Sequence, residues 1–73
     1  MAESAAACAT LTRRELEILR LISQDQSSKE IASELGVSVG TIEAHRTHLF
    51  RKLKVRSVLG LVRYAIYHGI VEL

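Results

Sequence analysis

Seventy-three residues make room for one small domain and not two, and a net charge of +2 says little by itself about partners. A single cysteine, Cys8, excludes an intrachain disulfide and points to a reducing compartment, expected to be the cytoplasm. The most apolar stretch, Val58 to Val71, is broken by Arg63, Tyr64 and His68 and falls short of the roughly 20 residues a bilayer span needs; no secretory signal is read ahead of it, so neither export nor a membrane partner is expected.

Proline is absent and period-2 alternation is nowhere sustained, while apolar residues recur at helical spacing, which predicts an all-α fold. Residues 1–10, with the run Ala5-Ala6-Ala7-Cys8-Ala9, carry no periodicity and are expected to be a disordered leader ahead of a domain over 11–73. A first helix is expected from Thr12. Thr12-Arg13-Arg14-Glu15 fits a capping box, Leu11 stands at the staple position, and Ile18, Leu19 and Ile22 form the apolar stripe. The helix should end near Gln24, where Asp25 tolerates a left-handed backbone. Ser27-Ser28-Lys29-Glu30 repeats the capping device for a second helix, which carries Ile31, Ala32 and Leu35 on one face and stops at Gly36. Ser38 is placed to cap a third helix over about 39–53 with Ile42, Leu49 and Leu53 inward, and Lys54 is an imperfect C-cap. Ser57 is placed to cap a fourth over about 57–68, with Gly69 as its stop.

Helices two and three are separated only by Gly36, Val37 and Ser38, a turn so tight that the helices must cross steeply, as in a helix-turn-helix. The residue types agree. Ala32 lets the backbones approach, Gly36 supplies the turn, and Val37 and Ile42 close a small core between the two helices. Charge is concentrated in the same place. Between Ser38 and Arg56, five cations (Arg46, Arg51, Lys52, Lys54 and Arg56) stand against the single acid Glu43, with His45 and His48 among them. That is the footprint expected for a polyanion partner, or alternatively a solvated helix face.

Steps of about 100° per residue from Ile42 bring Leu49 and Leu53 back to the buried side and turn Ala44, Thr47 and Arg51 outward. Glu43 and His48 flank them, and Thr41, His45 and Lys52 line one edge. A helix of this length, roughly 22 Å, fits a major groove. Glu43 is suited to accept from a cytosine amino group, and Ala44 and the Thr47 methyl to pack on thymine. Ser28 and Lys29 open helix two, and Ser38 and Thr41 open helix three, where backbone amides favour a phosphate. Arg46, Arg51 and Lys52 are phosphate candidates. Simpler roles stay open: Glu43 as a first-turn acid, His45 as a packed histidine, and Arg46 as a stem covering the core.

Four blocks in this order, Leu11-Thr12-Arg13-Arg14-Glu15, Lys29-Glu30-Ile31-Ala32, Thr41-Ile42-Glu43-Ala44-His45 and Arg51-Lys52-Leu53, resemble the LuxR-type helix-turn-helix of NarL/FixJ response regulators and quorum-sensing regulators. The resemblance runs from Leu11 to about Val71. It implies a four-helix domain of a two-component transcription regulator acting on double-stranded DNA at promoters, with RNA polymerase a further candidate partner. It also implies that Lys29, Thr41, His45 and Lys52 hold the DNA backbone, that Glu43, Ala44 and Thr47 face bases, and that the fourth helix forms a homodimer on DNA through Val58, Leu59, Val62, Arg63 and Ile66. The sequence departs from the family at Asp25 and Lys54, where glycine is usual, and at Val58, where arginine is common. An upstream receiver or ligand-binding domain is usual in the family, so the chain reads as an excised effector domain or as a stand-alone regulator.

Two other functions compete. A sigma-factor promoter-recognition domain shares the opening block but has little use for a capped apolar helix after the recognition helix, and a protein-interaction module has little use for a basic third helix. Enzymatic activity is not expected, since paired acids, a Cys/His cluster and a glycine-rich phosphate loop are all missing. His45 and His48 have no third ligand within reach by sequence, so neither a metal site nor a cofactor is expected.

Overall fold

A computed structural model describes residues 11–72. Among the described residues four helices follow one another: α1 (Arg13–Ser23), α2 (Ser28–Leu35), α3 (Val39–Leu53) and α4 (Val58–Tyr67). There is no strand among the described residues, and the all-α expectation holds. The leader expected over residues 1–10 lies outside them.

Each helix begins where a short hydroxyl side chain can satisfy an orphan amide. Thr12 Oγ1 accepts from the Glu15 amide at 3.0 Å while the Thr12 amide donates to Glu15 Oε1 at 2.9 Å, a complete capping box. Ser27 and Glu30 repeat it at 3.1 and 2.8 Å. Ser38 Oγ accepts from the Thr41 amide, and Ser57 Oγ from the Gly60 amide. Each cap is worth about 1 kcal/mol, a large share of what a domain this small can spare.

The endings are equally local. Gly36 closes α2 at φ 71°, Lys54 closes α3 at φ 56°, and Asp25 follows α1 at φ 65°. At these three positions the chain needs a left-handed residue, and only Gly36 adopts it without a steric cost from Cβ. Gly60 has a different reason. A Cβ there would meet that of Val55 at 3.0 Å, so its absence lets the first turn of α4 settle onto the loop after α3.

The apolar faces meet in one core. Ile18 and Leu19 from α1, Ile31 from α2, Ile42 and Leu49 from α3 and Leu61 from α4 are completely buried, with Leu11, Ala32 and Ala65 beside them. Burying a side chain of this size stabilises by about 2 kcal/mol. Leu53, expected inward, is only half-buried, because α3 runs out over the edge of the core. α4 packs chiefly on α1 and α2 chiefly on α3, so α3 lies along one side with its outer surface uncovered. The segment after α4 turns at Gly69 and lays Ile70 and Val71 against the core, where Arg20 Nε donates to the Ile70 carbonyl at 3.5 Å.

Two substitutions separate backbone conformation from packing. Gly36→Ala should lower the stability measured by urea unfolding by about 1 kcal/mol through the backbone alone, since an added methyl there would meet open space. Lys54→Gly should raise it by up to about 1 kcal/mol, since glycine relieves the left-handed backbone there.

Candidate nucleic-acid interface

The third helix has two sharply different sides. Ile42 and Leu49 are fully buried, while Glu43, Ala44, Thr47, His48 and Arg51 are exposed. The outward set expected from helical spacing therefore stands on one uncovered surface, with no described element packed over it. Val37 is half-buried in the turn before α3, so the turn itself contributes to the core that fixes the helix.

Hydrogen bonds refine what individual side chains offer. Thr47 Oγ1 donates to the Glu43 carbonyl at 3.0 Å, so the hydroxyl proton is committed to its own helix and Thr47 has its methyl and an accepting oxygen to offer. Ser38 and Thr41, both phosphate candidates, share a hydrogen bond of 2.9 Å between their hydroxyls, and Ser38 also caps α3. Lys29 is exposed in the first turn of α2. Ser28 and Arg46 are half-buried and come together in an open cleft of about 330 Å³ with Asp25, Gln26, Ser27, Ile22 and Val58. Arg46 thus has its stem in the fold, as its angle on the helix suggested.

Lys52 differs most from its reading as a simple edge cation. Its Nζ donates to Glu15 Oε1 at 2.8 Å, joining α3 to the first turn of α1. The lysine side chain is 39% exposed and the glutamate side chain 4%. A capping-box glutamate is ordinarily at the surface, so nothing local in the sequence foretells its burial. Burial alone would raise the Glu15 pKa. The hydrogen bond from Lys52, those from Thr12 and the ammonium's charge outweigh it and hold the carboxyl below its ordinary 4.5. The fold brings a further pair of side chains to this spot: one ligand-type atom from each of Glu15, His45 and His48 lies within 4.8 Å of the others. His45 is half-buried, and its Nδ1 is enclosed without a hydrogen-bond partner among the described residues.

On α4 the buried side is Leu61 and Ala65. Val58 and Leu59 are 41% and 64% exposed, Arg63 is exposed, and Val62 and Ile66 are half-buried between the two sides. Tyr67, which sequence reasoning passes over, is 77% exposed one turn beyond Arg63. An aromatic at that helical spacing is the available signal.

A depressed carboxylate pKa means that ionised Glu15 stabilises the fold above pH 4.5 and that this contribution is lost as the pH falls below it. Glu15→Gln should lower stability at pH 7 by about 1–2 kcal/mol in urea unfolding. It should also make stability fall less steeply between about pH 5 and 3 than in the parent; equal slopes would remove the ion pair from the account.

Comparison with known proteins places this geometry in a family. Residues 9–65 match the family described as bacterial regulatory proteins, luxR family. The chain is 51% identical over 62 residues to the transcriptional regulatory protein MctR of Rhizobium johnstonii, 54% to the oxygen regulatory protein NreC of Staphylococcus carnosus and 50% to NreC of Staphylococcus aureus. Each match takes in 85% of this chain and 29% of the relative, so the chain spans under a third of the length of these curated relatives. No helix among the described residues is long and apolar enough to cross a membrane. With its capped four-helix array, uncovered third helix and family match over most of its length, the chain belongs to the luxR family of bacterial regulatory proteins, as a LuxR-type helix-turn-helix, a DNA-binding regulatory unit and not an enzyme.

Proposed function

We propose that the domain binds double-stranded DNA with sequence preference by laying α3 in a major groove, and that two copies bind together on an inverted repeat. The observation that carries this reading is the uncovered face of α3, where Glu43, Ala44, Thr47 and Arg51 stand opposite the fully buried Ile42 and Leu49. Its 15 residues give a rod of about 22 Å, a length the groove accommodates. Glu43, Ala44 and the Thr47 methyl are the base-facing groups. Lys29, Arg51 and His48 reach phosphates, joined at helix N-termini by Ser28, Ser38 and Thr41. Lys52 and His45 serve at the edge, with Lys52 held in place through Glu15, and Arg46 contributes its guanidinium from a half-buried stem.

The homodimer is proposed through the exposed side of α4, with Val58 and Leu59 as the apolar centre, Val62 and Ile66 at its margin and Arg63 at the rim. An apolar helix face left uncovered in so small a domain supports this assignment. The family and the names of the relatives further support a transcription regulator of the response-regulator type that works in the bacterial cytoplasm. RNA polymerase is the partner through which such a regulator would act.

Selection from a randomised duplex pool at about 100 mM salt tests the whole reading. Enriched inverted repeats with half-sites about one helical turn apart are expected, and the absence of any retained sequence would sink it. Within the selected site, Thr47→Ala should change the preference among duplexes by about 1 kcal/mol. Lys29→Ala should instead weaken all duplexes alike and flatten the salt dependence. Leu59→Asp should leave binding to a single half-site intact while abolishing the gain from the second.

A further inference from the structure

We propose that Glu15, His45 and His48 form a binding site for one late first-row transition-metal ion of the zinc class, bridging α1 and α3. The three side chains each present a ligand-type atom within 4.8 Å of the other two. Zinc bonds of about 2.0–2.2 Å to nitrogen and oxygen place tetrahedral ligand atoms about 3.4 Å apart. Closing the remaining gap takes side-chain rotation, which exposed His48 is free to make. Two imidazole nitrogens and one carboxylate oxygen are a donor set that zinc, cobalt, nickel and copper prefer and that calcium and magnesium do not. Three protein ligands leave a fourth position for water.

The ligands differ in how firmly they are held. Glu15 is fixed by the capping box and by burial, and both hydrogen bonds to its carboxylate fall on Oε1, from Thr12 and from Lys52. Oε2 is therefore the oxygen offered to an ion. His45, half-buried one helical turn before His48, carries an enclosed Nδ1 that lacks a hydrogen-bond partner among the described residues, which a metal or a proton donor would satisfy. His48 lies on the exposed surface and gives the ion a route from solvent. The carboxylate already holds one cation, the Lys52 ammonium. That contact is to Oε1, so Lys52 does not occupy the oxygen offered to the ion. In sequence the two histidines lack a third ligand; the packing of α1 on α3 supplies it.

The site shares His45 and His48 with the DNA-binding reading, but its test uses no DNA, so the two stand or fall separately. The full chain carries Cys8, a thiol that would itself take zinc, so parent and variants are compared with Cys8→Ser in all of them. Calorimetric titration with zinc should give one ion per chain, and cobalt should give the visible absorption of a tetrahedral nitrogen–oxygen site. His48→Ala, at an exposed position, should keep the metal-free helical circular dichroism and melting temperature while weakening zinc binding about tenfold or more. Glu15→Gln, which still accepts the Thr12 hydrogen bond, should weaken it to a similar degree. Zinc should raise the melting temperature of the parent more than that of His48→Ala at the same zinc concentration. No binding up to about 1 mM zinc, or equal affinity in parent and His48→Ala, overturns the proposal. Loss in His48→Ala with full affinity in Glu15→Gln overturns it as well, since the ion would then sit on the histidine pair alone.

Discussion

Glu15 reaches two partners from the first turn of α1: the amide of Thr12, which starts its own helix, and the ammonium of Lys52, near the end of α3. The rest of the arrangement follows from that double engagement. A carboxylate this buried must be paired or protonated, and the ammonium that pairs with it comes from the helix whose opposite side is uncovered. Removing the Lys52 ammonium takes this charge partner from a carboxylate that is 4% exposed, a loss larger than the net worth of the pair. Such a pair adds little to total stability compared with an apolar substitute. Its effect is to single out one azimuth of α3, with Lys52 turned toward α1 and therefore Thr47 and Arg51 turned away from it.

The apolar core acts on the same helix from beneath. Ile42 and Leu49 are seven residues apart, two turns on one stripe, and both are sealed against α1, α2 and α4. The connection from α2 to α3 is only three residues long, and Glu43, Ala44, Thr47 and Arg51 of α3 stay exposed beside it. A groove-reading surface needs both conditions at once: one side anchored hard enough to hold its direction, and the other left free of neighbours. The turn and α3 could not achieve this alone, since a helix of this length is marginal in water without tertiary support.

Much of this is legible in the sequence because it is local. The four capping hydroxyls, the left-handed positions at Asp25, Gly36 and Lys54, and the split of α3 into inward and outward residues each depend on short spacings along the chain. What escapes is long-range or dependent on hydrogen-bond competition. The sequence pairs Glu15 with Thr12 but has no way to pair it with Lys52 or to bring it beside His45 and His48, because those meetings require α1 to be docked. In sequence the side chains of Ser38 and Thr41 look independent, whereas they bind each other. Thr47 offers a hydroxyl donor and a methyl on paper, although the donor is spent on the backbone. Tyr67 escapes because the apolar pattern of α4 is dominated by its aliphatic residues.

The two halves of the fold are assembled over very different chain distances. α2 and α3 meet across a three-residue turn, whereas α1 and α4 meet only after the whole of the intervening chain has been folded back. Loop-closure entropy rises with the length enclosed, so the helix pair around Gly36 is the inexpensive nucleus and the docking of Leu61 and Ala65 onto α1 the late step. Under mild denaturing conditions the order reverses. Opening of α4 is then expected to precede that of α3, and amide exchange in α4 to outpace that in α3.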